Sequence, residues 1–343
     1  MPKEYSRRSF LRGMPALAAL APLVTESGSA QQQHFHATPE NSASTTMAPM
    51  GAAEDDPILA AACRQRVTAL QGLSPMQFLT HFDYGVVTDE KGRKVREFQL
   101  NAMEKIIEVA PGIMMDAWTY NGTVPGPTLR CMEGDLVRVR FTNKGKTEHT
   151  VHFHGIHDAN MDGVDELVQP GESTTYEFMA EPAALQLYHC HSAPVSLHMN
   201  RGLFGAFIID PRIPRPPARE MVVVLHGWDT NYDRKNELYA MNGAANFYRD
   251  NPIPLRVGEA ARIYLINAME YEPVSSFHIH ANFFKLLRTG AVGQPAESTD
   301  LVTLTQAERC ILEFSYRSPG LYMFHPHQNA VAERGCTGHF IVS

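Results

Sequence analysis

The chain has 343 residues, 44% of them hydrophobic, which is enough for two domains with real cores. Its formal net charge of −7 excludes the basic footprint of a nucleic-acid-binding protein. Only five cysteines are present against sixteen histidines, so any chemistry built from metal-ligating side chains is dominated by imidazole.

The N-terminus reads Ser6-Arg7-Arg8-Ser9-Phe10-Leu11, followed by an apolar run over residues 13–24 and small residues at Gly28-Ser29-Ala30. This is the pattern of a twin-arginine export signal with a cleavage site, over residues 1–30. The apolar run is shorter than the ~20 residues that span a bilayer. The expected location is therefore periplasmic or secreted, after export of folded cargo, where disulfides persist. Residues 31–82 read as an extension: first disordered, rich in Gln, Ala, Ser, Thr and Pro, then partly helical, with helix starts at Asp56-Pro57 and Ser74-Pro75. His34, His36 and His81 lie in or near it and read as solvated.

From Phe82 onward short Val/Ile/Phe/Tyr runs are split by Gly, Pro and Asn, the signature of an all-β sandwich architecture. An internal repeat divides this region. Asn121-Gly122 precedes Glu133-Gly134-Asp135, and Asn242-Gly243 precedes Val257-Gly258-Glu259. Leu187-Tyr188-His189-Cys190-His191 matches Tyr322-Met323-Phe324-His325-Pro326-His327, and Arg201-Gly202 through Ile208 matches Arg334-Gly335 through Ile341. The prediction is two tandem sandwiches, residues 83–212 and 213–343, joined by a semi-rigid linker with four prolines between Pro211 and Pro217.

Ten of the sixteen histidines fall into four clusters within this repeat: His149, His152 and His154; His189, His191 and His198 around Cys190; His278 and His280; His325 and His327. Strand side chains alternate with period 2. His152 and His154 thus share one face and His149 the other, while Cys190 points away from His189 and His191. Two ligand collections result. Cys190 with His149 and His198 has the two-imidazole, one-thiolate composition of a blue-copper site. Eight histidines in four His-x-His pairs are too many for one metal and suit three coppers. Zinc is the alternative for imidazole pairs. In the second copy Pro326 replaces Cys190 and Ser275 replaces His149, so the thiolate site occurs once while the His-x-His pairs occur in both. The cysteines beyond Cys190, namely Cys63, Cys131, Cys310 and Cys336, allow three disulfide pairings or can be free and buried. His157, His226 and His339 read as hydrogen-bonded structural residues, and the methionines as core filler.

These residues resemble the multicopper oxidases: a His three residues before a His-x-His, then His-Cys-His with a further His downstream, plus two more His-x-His pairs. The resemblance runs from about residue 83 to 343 and is closest to the two-domain, laccase-like branch. It implies tandem Greek-key cupredoxin domains and four coppers per chain. One would be a type 1 copper on His149, Cys190 and His198. The others, one type 2 and a type 3 pair, would form a trinuclear cluster on His152, His154, His189, His191, His278, His280, His325 and His327. It further implies four one-electron oxidations of a small reducing substrate, phenols foremost, coupled to reduction of O2 to water. It implies a homotrimer with each cluster between the first domain of one chain and the second of the next, without a membrane anchor or nucleic acid. The family carries an acid soon after the first His-x-His, and Met161-Asp162-Gly163 matches its context. Asp162 is thus the expected proton relay, with an Asp-Gly turn as its plain alternative and Asp158 as a weaker rival. The loop from Cys190 to His198 is longer than in most laccases. The axial position, five residues after His198, holds Leu203 rather than Met, and Met199 is poorly placed to replace it. A higher potential is expected from that absence. Copper nitrite reductase, also a two-cupredoxin trimer, is the alternative, although it carries an Asp at the position of His152. Oxidation of Cu(I) or Mn(II), or a carrier using the Cys190 site alone, are further alternatives.

Overall fold

A computed structural model describes residues 73–343 except residue 292. The export signal, the helix start at Asp56-Pro57, His34, His36 and Cys63 lie outside the described residues. The helix expected at Ser74-Pro75 is α1, Pro75–Phe78, and it is closed by a capping box: Ser74 Oγ accepts from the Gln77 amide and Gln77 Oε1 from the Ser74 amide. Phe78 and Leu79 then bury completely, so this end of the extension is part of the core.

The first sandwich pairs two sheets. One has the order β1 (Phe82–Asp83), β5 (Gly126–Met132), β10 (Phe204–Asp210), β9 (Ala184–His189), β7 (His152–Phe153). The other has the order β2 (Val86–Glu90), β3 (Arg93–Ala110), β6 (Leu136–Asn143), β8 (Ser173–Met179), with β4 (Ile113–Tyr120) also on β3. The second sandwich has one sheet of β12 (Leu238–Met241), β11 (Arg219–Trp228), β14 (Ala261–Asn267), β19 (Arg309–Phe314), β16 (Phe284–Arg288), β17 (Glu297–Thr299). Its other sheet is β13 (Ile253–Leu255), β21 (Gly338–Val342), β20 (Gly320–His325), β15 (Val274–Ile279), β18 (Leu301–Thr305). Within these sheets β3/β6, β5/β10, β11/β14 and β13/β21 are parallel, the mark of connections that cross from sheet to sheet instead of turning back as hairpins.

Period-2 alternation explains the layers. In β6, Val137, Val139 and Phe141 enter the first core, while Arg138 and Arg140 point outward to Glu90, Glu177 and Glu97. β9 is buried along its whole length, and its faces divide. Tyr188, with Cys190 just beyond the strand, enters the first domain's core, while Leu185 and Leu187 enter a third core shared with the second domain. β11 and β14 do the same from the other side: Met221, Val223, Ile263 and Leu265 face the second domain's own core, and Val222, Val224, Tyr264 and Ile266 face the shared one. A polar tie flanks this interface. Arg130 bonds Asp210 at 2.7 Å and Glu220 at 2.6 Å, and Glu220 also accepts from Arg262 and Tyr264. Burial alone would raise the Glu220 carboxyl, yet the bonds from Arg130, Tyr264 and Arg262 hold it below its ordinary value.

The repeat is visible in the backbone. Asn121 and Gly122 both have positive φ, at 55° and 79°, and Asn242 and Gly243 repeat this at 52° and 82°. Both pairs are type I′ turns closed by bridges, Tyr120 to Thr123 and Met241 to Ala244.

Candidate metal centre

The thiolate site lies at the end of β9. Cys190 follows its last residue, α2 (Val195–Asn200) carries His198, and His149 is pinned by a bridge to Val168. Cys190 Sγ lies 3.2 Å from His198 Nδ1 and 3.9 Å from His149 Nδ1, and the two Nδ1 atoms are 3.2 Å apart. Ligand atoms at ~2.0–2.3 Å from one metal stand roughly 3.2–3.7 Å from each other, so the set fits a single ion with little movement. The Thr150 amide donates to Sγ at 3.4 Å. Burial pushes His149 and His198 down to about 4, which keeps both imidazoles neutral as ligation requires. Leu203 is fully buried in the same core as Cys190, and its carbonyl accepts from the Cys190 amide, whereas Met199 packs into the core between domains. Trp118 covers the two histidines edge-on, at 5.3 Å from His149 and 4.7 Å from His198.

The eight remaining histidines form two quartets built alike. In the first domain His152 pairs with His189 across β7 and β9, and in the second His278 pairs with His325 across β15 and β20. Four Nδ1 atoms sit against carbonyls: His152 against Asp162 (2.8 Å), His189 against Cys190 (2.9 Å), His278 against Asp300 (2.7 Å) and His325 against Pro326 (2.7 Å). That contact fixes the tautomer and leaves Nε2 free for a metal. The free atoms converge: His154 and His189 Nε2 are 3.2 Å apart, and His280 and His325 Nε2 are 3.0 Å apart. His191 and His327 are set by matching bonds, their amides donating to Thr150 Oγ1 and Ser276 Oγ. Burial takes His154 down to about 3 and His189 to about 4.

Among the described residues, no ring contact or hydrogen bond joins one quartet to the other. The first quartet borders a cleft of about 530 Å³ whose far wall includes Glu270 and Gln306 of the second domain, and burial raises the Glu270 carboxyl. The second quartet is open, with His280 and His327 exposed. Three ligand atoms of the first quartet, from His152, His154 and His189, already lie close enough together to hold one ion.

Asp162 caps a short 3-10 turn, Ala159–Met161, and its Oδ1 lies 3.2 Å from His152 Nδ1. Asp158 sits at the other end of that turn. The sequence reading missed Asp300, whose carbonyl holds His278 as that of Asp162 holds His152, and whose carboxylate lies 3.8 Å from the same nitrogen. No Met-Asp-Gly context marks it; only its carbonyl contact to His278, matching that of Asp162 to His152, does.

Three expectations for the remaining residues resolve differently. His157 is hydrogen-bonded as expected, to the Phe153 carbonyl at 2.8 Å. His226 is structural as well: it is packed between Phe204 and Trp228 at 4.7 and 4.4 Å, with the backbone of Met199 and Asn200 as its polar partners, in contacts too poorly aligned to count as full hydrogen bonds. His339 Nδ1 lacks a partner. Cys131, Cys310 and Cys336 are free and buried, which removes every pairing among them.

Family models described as multicopper oxidase match residues 102–213 and 215–343, and the chain belongs to the multicopper oxidases. A solved multicopper oxidase structure superposes with a TM-score of 0.79 at 44% identity, over 80% of this chain and 99% of that one. A copper nitrite reductase from Nitrosomonas europaea superposes at 0.67 with 25% identity, over 73% of this chain and 94% of that one. The copper-containing nitrite reductase of Neisseria gonorrhoeae is 26% identical over 68% of this chain, and the chain spans 64% of its length. The copper resistance protein A of Escherichia coli is 35% identical over 45% of this chain, which spans 26% of its length. Copper is thus the metal the family implies, and the donor sets described above fit it.

Proposed function

We propose that this chain is a laccase-like multicopper oxidase. A reducing substrate, phenols foremost, gives electrons one at a time to a type 1 copper on Cys190, His149 and His198. Four such electrons then reduce O2 to water at a trinuclear cluster on the eight remaining histidines. The observation that carries this reading is the duplicated quartet. An electron carrier needs only the thiolate set, and a nitrite-reducing site has no use for eight imidazoles held in matched tautomers. Bound copper would supply one-electron redox chemistry at the first site and dioxygen reduction at the second. The protein's part is placement. Cys190 and its chain neighbours His189 and His191 link the two sites through a few covalent bonds. The cores exclude water from the thiolate, and Asp162 stands beside His152 as the acid that hands protons to the cluster.

The open second quartet and the separation of the two quartets within a chain support a homotrimer in which the first domain of one chain meets the second of the next. The Arg7-Arg8 leader supports export to the periplasm or beyond. Nitrite reduction is the second reading, favoured by the relatives of that name; oxidation of Cu(I) or Mn(II) is a third.

Copper counting separates these classes: four per chain for the oxidase, two for a nitrite reductase, one for a carrier. The loaded protein is expected to show an intense blue band that Cys190→Ser abolishes while the other three coppers remain. A colourless, fully loaded wild type would overturn the assignment of the thiolate site. Steady-state assays with a phenol, Mn(II) and Cu(I) rank the donors.

A further inference from the structure

The histidines of the thiolate site are 1% and 3% exposed, so a donor in solution touches neither imidazole. The ring over both is Trp118. Arg201 lies on Trp118 with Cζ 5.1 Å from the ring centroid, and its Nη1 is tied to the Asp116 backbone and carboxylate. Tyr232 lies on the same guanidinium at 4.3 Å and is 50% exposed. A column of planar groups in successive contact thus leads from the half-exposed Tyr232 through Arg201 and Trp118 to His149 and His198.

Its outermost member comes from the other domain, in the loop after β11. That loop is built around an unusual backbone. Tyr232 and Arg234 have φ of 63° and 68°, uncommon for bulky residues, and such conformations persist only where the surroundings enforce them. Here the buried Asp229 carboxylate accepts from the Asp233 amide at 3.1 Å and the Arg234 amide at 2.8 Å, and Asn231 Oδ1 accepts from the Asp233 amide at 3.0 Å. The loop's polar side chains are thereby engaged in holding a half-exposed ring against Arg201.

We propose that this column is the donor site of the oxidase: a planar aromatic donor, a phenol or arylamine, stacks on the exposed face of Tyr232, and its electron passes across Arg201 and Trp118 to the thiolate site. The proposal rests on the copper reading given above. With copper held by His149, Cys190 and His198, a phenol bound there would give up one electron to it and its proton to solvent, and the phenoxyl radical would leave. The Arg201 guanidinium, paired with Asp116, polarises the Tyr232 ring it packs against and favours electron-rich rings stacked on the exposed face.

The test uses the copper-loaded protein without O2 and follows bleaching of the blue band by 2,6-dimethoxyphenol and by hexaammineruthenium(II), which has no ring to stack. Tyr232→Ala is expected to raise the half-saturating phenol concentration about fivefold, the equivalent of ~1 kcal/mol, with the band, the potential and the ruthenium reaction as in wild type. Tyr232→Phe keeps the ring and is expected to restore phenol binding. Trp118→Leu is expected to slow bleaching by saturating phenol while speeding it by the ruthenium complex, because the column is broken but the imidazoles are opened. An unchanged half-saturation in Tyr232→Ala, or an equal shift for both reductants, would overturn the donor site and leave the copper reading standing. A loaded wild type without a blue band would overturn the copper reading itself.

Discussion

On the proposed copper reading, Leu203 takes the axial position of the thiolate site, where many blue-copper proteins carry a thioether. It is fully buried in the same core as Cys190 and its side chain offers no donor atom, so a copper held there would have three ligands, which favours the cuprous state. Leu203→Met adds a weak fourth ligand of similar volume and should lower the potential of the blue copper, as read by redox titration; an unchanged or raised potential would remove Leu203 from the axial position. His226 makes a second argument at this scale. It is fully buried against Phe204 and Trp228, and burial pushes its pKa down from 6.5 to about 3. A depressed histidine is neutral in the fold, so the unfolded chain binds the extra proton first. Stability from its neutrality is complete above pH ~6.5 and is lost as pH falls toward ~3. His226→Phe keeps a flat ring without a proton site. Denaturant titrations should show wild type losing about 1.4 kcal/mol more per pH unit than the variant inside that window. Parallel pH profiles would show that His226 titrates alike folded and unfolded. The sequence announced the ligands through spacing, but for His226 it gave only a structural role and not its apolar surroundings, because a lone histidine's neighbours come from residues far along the chain.

At the scale of elements, the turn after β7 shows how the fold positions a ligand. The 3-10 turn Ala159–Met161 delivers the Asp162 carbonyl to His152, and Gly163 follows with φ of 68°. A Cβ on Gly163 would collide with the Val151 carbonyl, one residue before His152. Gly163→Ala should therefore cost about 1–3 kcal/mol and shift the carbonyl that fixes the His152 tautomer. The expected readout is loss of cluster copper with the blue band retained, since His149 and Cys190 lie on the other face; full occupancy of four coppers would contradict it. Strand alternation made that division of faces legible beforehand, and the Asn-Gly turns correctly marked the repeat. What remained illegible was any contact between elements distant in sequence. Asp300 reaches His278 from β17–β18, and Tyr232 reaches Arg201 from the other domain, through turns whose outcome depends on the packed sheets. The cysteines show the same limit: strand burial makes Cys131, Cys310 and Cys336 core filler, and spacing could not tell that from pairing.

For the whole molecule, the decisive fact is that no hydrogen bond or ring contact joins the two histidine quartets among the described residues. The shared core and the Arg130–Glu220–Arg262 tie fix the two sandwiches against each other, so they cannot turn to bring the quartets together without breaking both. Opening the tie would leave the largely buried Arg130 and Arg262 guanidiniums without the carboxylate partner they share, which makes the rearrangement unfavourable. On the proposed trinuclear reading a second chain would supply the complement, and a head-to-tail contact that closes into a ring would satisfy every quartet equally. Complementation tests this. One variant would carry His152→Ala and His154→Ala, the other His278→Ala and His280→Ala. Each alone places a defective half in every interface and should be inactive toward O2. Coexpressed, the two variants form mixed rings in which some interfaces join an intact first domain to an intact second domain. Those rings should recover a fraction of wild-type O2 consumption, with a matching fraction of cluster copper. In a ring of three with random mixing, each interface pairs the two intact halves in about one case in four, which sets the recovery to look for. No recovery from well-folded mixed assemblies, or a copper-loaded monomer with full activity, would place the cluster within one chain and overturn the arrangement.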